Sequence, residues 1–139
     1  MLTFSQFINE SVDFQVSHED DTTHHTFNVG QHTVTVKHFI SKTKKGTFVD
    51  TDFEVNGKVM KDSDNISQQH VVKILSGVGQ SIKKIKDEHH TPNKKLEFSM
   101  YGNTEQKENV YKMAAKRLAR QMGGKVRHRD QTSYLTFKE

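Results

Sequence analysis

The sequence predicts an α+β fold, with one sheet and two helices packed on it as an α/β sandwich. Three observations predict it. Residues 26–55 alternate polar and apolar with a period of two and are cut by turn signals, the pattern of strands with one buried face. From Ile66 apolar residues recur at three- and four-residue spacing, as on a core-facing helix, and that spacing returns after Asn103. Short alternating segments, KKLEFSMY and KVRHRDQTSYLTF, lie between and after the two helical stretches. The order is therefore antiparallel meander, helix, strand, helix, and a last strand or hairpin. Each helix must bury its apolar stripe against the sheet.

Taken in order, SVDFQVSHEDDTTHH (residues 11–25) is polar, acidic and His-rich after Val16 and reads as a linker, with any first strand confined to 12–16. TFNV and HTVTVKHFI flank a Gly30-Gln31 turn, and Val34, Val36 and His38 share one strand face. KTKKG is a turn with Gly46 at positive φ. TFVDTDFEV turns Val49, Phe53 and Val55 one way and the carboxylate row Asp50, Asp52 and Glu54 the other, a solvent-facing row or a cation site. Asn56-Gly57 signals a hairpin, with KVM as a short return strand.

The first helix carries Val71, Ile74, Leu75, Val78, Ile82 and Ile85 inward. Ser67 or Asp64 caps its start, and Pro92 in HHTPN closes it. Leu96, Phe98 and Met100 share one side of the next strand. Asn103 with Gln106, or Thr104 alone, caps the second helix, whose inner face is Val110, Met113, Ala114, Leu118 and Met122. Gly123-Gly124 ends it, and the strand joined through it is expected to pair in parallel by a right-handed crossover.

Length bounds this to a single domain over 26–139, behind a 1–10 leader and the 11–25 linker. Hydrophobic residues are 32% of the chain, so the nine Phe must anchor a modest core. No apolar run approaches the ~20 residues of a transmembrane helix, so no membrane partner is expected. Cysteine is absent, which excludes disulfides and thiolate chemistry. The nine His lack zinc-site spacing and read as solvated loop residues, so no metal is assigned. Charge is polarised. Residues 1–70 hold six Lys against ten Asp and Glu, a net −4, whereas residues 71–139 hold fifteen Lys and Arg against seven acids, a net +8. Lys112, Lys116 and Arg120 repeat on one helix face with Arg117 beside them, and Lys125, Arg127 and Arg129 alternate on the following strand. Folded onto one side, these cations would bind the phosphate backbone of DNA or RNA without reading its sequence.

The opening MLTFSQFINE places Leu2, Phe4, Phe7 and Ile8 on one face if helical, with no Lys or Arg ahead of them, so it is a poor secretory signal. It resembles the capsid-targeting sequence of internal and prohead-core proteins of large T-even-like tailed phages. Those begin with Met, a short Phe/Tyr-containing amphipathic stretch and a Leu/Ile-x-Glu cleavage site. Thr3, Phe4 and Phe7 fall in the amphipathic part and Ile8-Asn9-Glu10 at the site, while Leu2 stands where the family often has Lys. The resemblance implies packing with the prohead scaffold and cleavage between Glu10 and Ser11 by the prohead protease. It also implies residence in the virion or, after delivery to act on a host protein, in the host cytoplasm. The alternative is an N-terminal helix docked on the domain.

LEFSMY, Asn103 and NVYKMAAKRLARQMGGKV resemble the later part of the GNAT acetyltransferase fold, where a strand, a helix and a final strand pair follow one another. That family carries an R/Q-x-x-G-x-G/A loop before the preceding helix, which holds the coenzyme A pyrophosphate on backbone N–H groups. Here Ser76-Gly77-Val78-Gly79 offers the G-x-G, so Gly77, Gly79, Gln80 and Ser81 are the candidate acetyl-CoA residues. This requires 67–75 to be a strand; if it is helix, the glycines serve close packing. No catalytic residue is assigned, and Tyr111 and Tyr134 are nominated as acid or base by fold analogy alone. Three functions stay open: a virion-associated nucleic-acid-binding protein, a GNAT-like N-acyltransferase, and a non-catalytic interaction or inhibitor module on a GNAT-like shell.

Overall fold

A computed structural model of the chain describes residues 12–60 and 66–138. The strands are β1 (Gln15–Glu19), β2 (Thr22–Val29), β3 (His32–Thr43), β4 (Gly46–Val55), β5 (Lys95–Tyr101), β6 (Lys125–Arg129) and β7 (Thr132–Phe137). The helices are α1 (Gln68–His89), between β4 and β5, and α2 (Glu105–Met122), between β5 and β6. All seven strands form one mixed sheet in the order β1-β2-β3-β4-β5-β7-β6, an α+β fold.

The first four strands are the expected meander. The linker reading fails, because residues 15–19 are β1 and residues 22–25 already belong to β2. The inward residues of that stretch include polar Thr23 and His25, so burial leaves no apolar alternation to read. After Asn56-Gly57 only a single Val55–Lys58 bridge forms, and residues 59–60 are not strand, so KVM does not extend the sheet.

The parallel ladder lies elsewhere than predicted. β4 pairs in parallel with β5 through α1. β5 and β6, joined through α2, run the same way but are separated by β7, because the Asp130-Gln131 turn returns the chain between them. Asp130 takes φ 54° in that turn.

Both helices cover the same face of the sheet. Ser67 Oγ accepts from the His70 N–H to cap α1, and Thr104 Oγ1 accepts from the Lys107 N–H to cap α2. Gly123 closes α2 at φ 76°, which an L side chain resists. The core joins Ile74, Val78, Ile82 and Ile85 of α1 and Val110, Tyr111, Ala114 and Leu118 of α2 to Val36, Phe53, Phe98 and Leu135 of the sheet. Met113, expected inside, is exposed, and Tyr111 takes the inner position. At ~100° per residue the two lie ~200° apart, so only one can face the sheet.

Residues 67–75 are not a strand. Gly77, Gly79, Gln80 and Ser81 lie in the middle of α1, where backbone N–H groups are spent on the helix. They cannot cradle a pyrophosphate. A Cβ on Gly77 would stand 2.1 Å from Phe27 Cζ, so this glycine lets helix and sheet approach. The Gln80 carboxamide accepts from the Val12 N–H at 3.1 Å and donates to Ser76 Oγ at 3.2 Å.

Candidate nucleic-acid interface

The other face of the sheet is covered by neither helix. Because side chains alternate, the strands that bury Val49, Phe98 and Leu135 present Asp50, Ser99 and Tyr134 on this face. Register joins them into rungs. Phe39, Asp50, Ser99, Tyr134 and Arg127 are successive partners across β3, β4, β5, β7 and β6. A second rung runs Ser41, Phe48, Glu97, Thr136 and Lys125. A third joins Tyr101, Thr132 and Arg129. Each rung therefore ends on a cation of the outermost strand.

A cleft of about 490 Å3 lies on this face, with Phe39 at one wall and Tyr101 and Tyr134 at the other. At ~4.8 Å per strand, the Phe39 and Tyr134 backbones stand ~14 Å apart. Phe39 is 48% and Tyr101 56% exposed. Asp50, Ser99, Asn103 and Thr132 line the cleft between them.

The carboxylates here already have partners. Ser99 Oγ donates to Asp50. Asp52 accepts from the Phe53 N–H at 2.9 Å, from the Tyr111 hydroxyl at 3.3 Å and from the Lys107 ammonium. Lys37 bonds Glu54 at 3.0 Å, and Thr136 Oγ1 donates to Glu97 at 3.1 Å. Lys107 starts on α2, yet its ammonium reaches Asp52, where the β4–β5 ladder ends at Thr51–Met100. It is 2% exposed and lies beside the rings of Phe53 and Tyr111. The carboxylate row is thus a set of internal bonds, and among the described residues no group of three or more His, Asp or Glu is arranged to hold a metal ion.

The cations at the rung ends differ. The Arg127 guanidinium lies 4.4 Å over the Tyr134 ring. Among the described residues, Lys125 and Arg129 pair with no carboxylate. All three alternate with Val126, which packs on the core, so they point to the uncovered face. Lys112, Lys116 and Arg120 do not join them. They lie across α2 from its buried row, in the helix layer, and Lys112 pairs with Glu108 at 3.6 Å. Arg117 is half-buried on that helix. The seven predicted cations therefore divide between two layers, because alternation about Val126 aims one set away from the helices.

The histidines are not solvated loop residues: all but His90 lie in strands or helices, and two are sealed inside. His25 and His38 are fully buried on the covered face. Ser81 Oγ lies 2.7 Å from His25 Nδ1 and 2.7 Å from His38 Nε2, and His38 Nδ1 lies 2.9 Å from Thr51 Oγ1. Burial pushes His25 down to about 4 and His38 to about 3. Ser81 is fully buried with them. Of the nominated tyrosines, Tyr111 is sealed in the core and its hydroxyl is held well above the ordinary range, first by burial and then by Asp52. Tyr134 lies beneath Arg127. The leader and its processing residues Ile8, Glu10 and Ser11 lie outside the described residues. Among the described residues no helix is long and apolar enough to cross a membrane.

Sequence reading missed the cleft. Its aromatic walls come from β3, β5 and β7, which only the sheet order makes neighbours of one surface. The available signal was the apolar residue out of phase, Phe39 beside inward His38. No protein-family model, curated protein or solved structure matches the chain.

Proposed function

We propose that this protein is a nonspecific nucleic-acid-binding protein of a phage particle, built on a GNAT-like shell and acting without catalysis. One observation carries the binding reading: Lys125, Arg127 and Arg129 stand in register on the outermost strand, on the face neither helix covers, with no carboxylate among the described residues to neutralise them. Phosphates brought to such a row release condensed counterions, which favours binding whatever the base sequence. The resemblance of Met1–Glu10 to a capsid-targeting leader supports the phage setting.

The succession β5, α2, β6 and β7 supports the GNAT-like shell. The acyltransferase reading lacks the loop it requires, since residues 56–67 ahead of α1 hold one glycine, Gly57, and no G-x-G. Acetyl-CoA therefore has no assigned residues, and no binding at millimolar ligand is expected.

The test is the salt dependence of DNA binding. Changing Lys125, Arg127 and Arg129 together to Glu should abolish measurable affinity at ~150 mM salt. Changing all three to Gln should reduce the log–log salt slope by roughly 2–3, at ~0.9 for each phosphate no longer neutralised. Lys116→Glu with Arg120→Glu, in the other layer, should change affinity far less. Equal loss from both sets, or no binding by the parent, would overturn the reading. A virion form lighter by residues 1–10 is expected by mass spectrometry, and only full-length protein outside particles would overturn the phage assignment.

A further inference from the structure

The positive edge explains attraction to phosphate but leaves the exposed rings beside it without a role. Phe39 and Tyr101 are about half exposed, and with Tyr134 they bound one cleft whose side opposite Phe39 adjoins the Arg127 strand. Each carboxylate in or beside that cleft is held by a partner from its own chain, whereas Lys125, Arg127 and Arg129 along its rim pair with no carboxylate among the described residues. The unsatisfied charge therefore selects an anionic occupant over a basic peptide. Exposed rings select further. A ring can stack only on a base whose face is free, and in a duplex both faces of every base are covered by neighbours.

We infer that the cleft of the uncovered face is a stacking platform for single-stranded nucleic acid. This rests on the nucleic-acid reading above. Phosphates follow Lys125, Arg127 and Arg129 on the outermost strand, and bases turn inward over Tyr134 and Tyr101 toward Phe39. Two bases stacked at ~3.4 Å each fit the ~14 Å between the walls with room for the rings themselves. Arg127, already 4.4 Å over the Tyr134 ring, offers both its charge and a guanidinium on which a base can stack.

The experiment uses the full chain and a 5′-labelled twelve-nucleotide strand of mixed sequence, alone and annealed to its complement, at one salt concentration. The single strand should bind about tenfold or more tighter than the duplex. Tyr101→Ala and Phe39→Ala should each weaken the single strand by about tenfold while leaving duplex affinity and the salt slope unchanged. Both rings are half exposed, so these variants should fold, and an unchanged melting temperature checks it. The chain has no Trp, so tyrosine emission gives a second readout. Stacking should quench Tyr101 and Tyr134 while buried Tyr111 persists. Equal affinity for strand and duplex, or ring variants indistinguishable from the parent, would overturn the platform and leave the charge reading standing. Failure to bind either form would overturn both. Tighter binding of a lysine-rich peptide than of the strand would reassign the cleft to a basic partner.

Discussion

The two faces of this sheet are made by the same strands but solve different problems. The covered face buries Val36, Phe53, Phe98 and Leu135 against two helices and ties buried polar groups to one another, as it does His38 with Ser81 and Thr51. The uncovered face keeps Phe39 and Tyr101 in solvent and ties down its carboxylates, while Lys125, Arg127 and Arg129 pair with no carboxylate among the described residues. The contrast separates groups that hold the fold from groups free to meet a ligand. It predicts that damage to one face registers as lost stability and damage to the other as lost binding.

The largest effect should come from the centre of the covered face. Phe98→Ala should cost about 3–5 kcal/mol in urea unfolding, since the ring is fully buried on a central strand. Gly77→Ala should follow at about 1–3 kcal/mol, because the new methyl meets the Phe27 ring. If either variant unfolds like the parent, the covered face is not the packed core described.

Acid should act on the same face. His25 and His38 titrate near about 4 and about 3 when folded, against 6.5 in the unfolded chain. As pH falls below 6.5 the unfolded chain takes up protons first. The stability these groups hold is therefore complete above about pH 6.5 and drains as pH falls toward 4. Two histidines set a slope of up to about 2.7 kcal/mol per pH unit in that window. His38→Gln should roughly halve it, and a flat profile between pH 7 and 5 would show these imidazoles in contact with water.

Lys107 and Asp52 span the two faces and sharpen the comparison. Lys107 is buried and Asp52 is about half exposed. Asp52→Ala strands an ammonium in the core and should cost about 1–3 kcal/mol, the cost of a buried donor left unmet, whereas Lys107→Met leaves a carboxylate that water can reach and should cost less. The reverse order would mean the ammonium has another route to solvent. The smallest stability effect belongs to Phe39→Ala, within about 0.5 kcal/mol of the parent.

What was legible in the sequence followed periodicity. Ile74, Leu75, Val78, Ile82 and Ile85 announce α1, and Leu96, Phe98 and Met100 announce β5, because apolar residues inside and polar ones outside leave a readable period. β1 and the start of β2 were illegible because Thr23 and His25 are buried yet polar. Strand order was illegible because nothing local says that β7 slots between β5 and β6. That insertion assembles the candidate site, so Arg127 could be suspected from its charge, but its neighbour Tyr134 and the distant Phe39 could not be joined to it.

The serine between the two imidazoles has one further consequence. A hydroxyl carries one proton and two lone pairs, so Ser81 can donate to only one of the two rings. Among the described residues His25 Nε2 is buried without a hydrogen-bond partner, and an orphaned buried N–H is rarer in folded proteins than an unmet acceptor. One assignment that satisfies these contacts has His25 as the Nδ1–H tautomer donating to Ser81, Ser81 donating to His38 Nε2, and His38 as the Nδ1–H tautomer donating to Thr51. In that assignment the core holds a one-way wire of three protons, and adding a fourth at either ring would break its sense of direction.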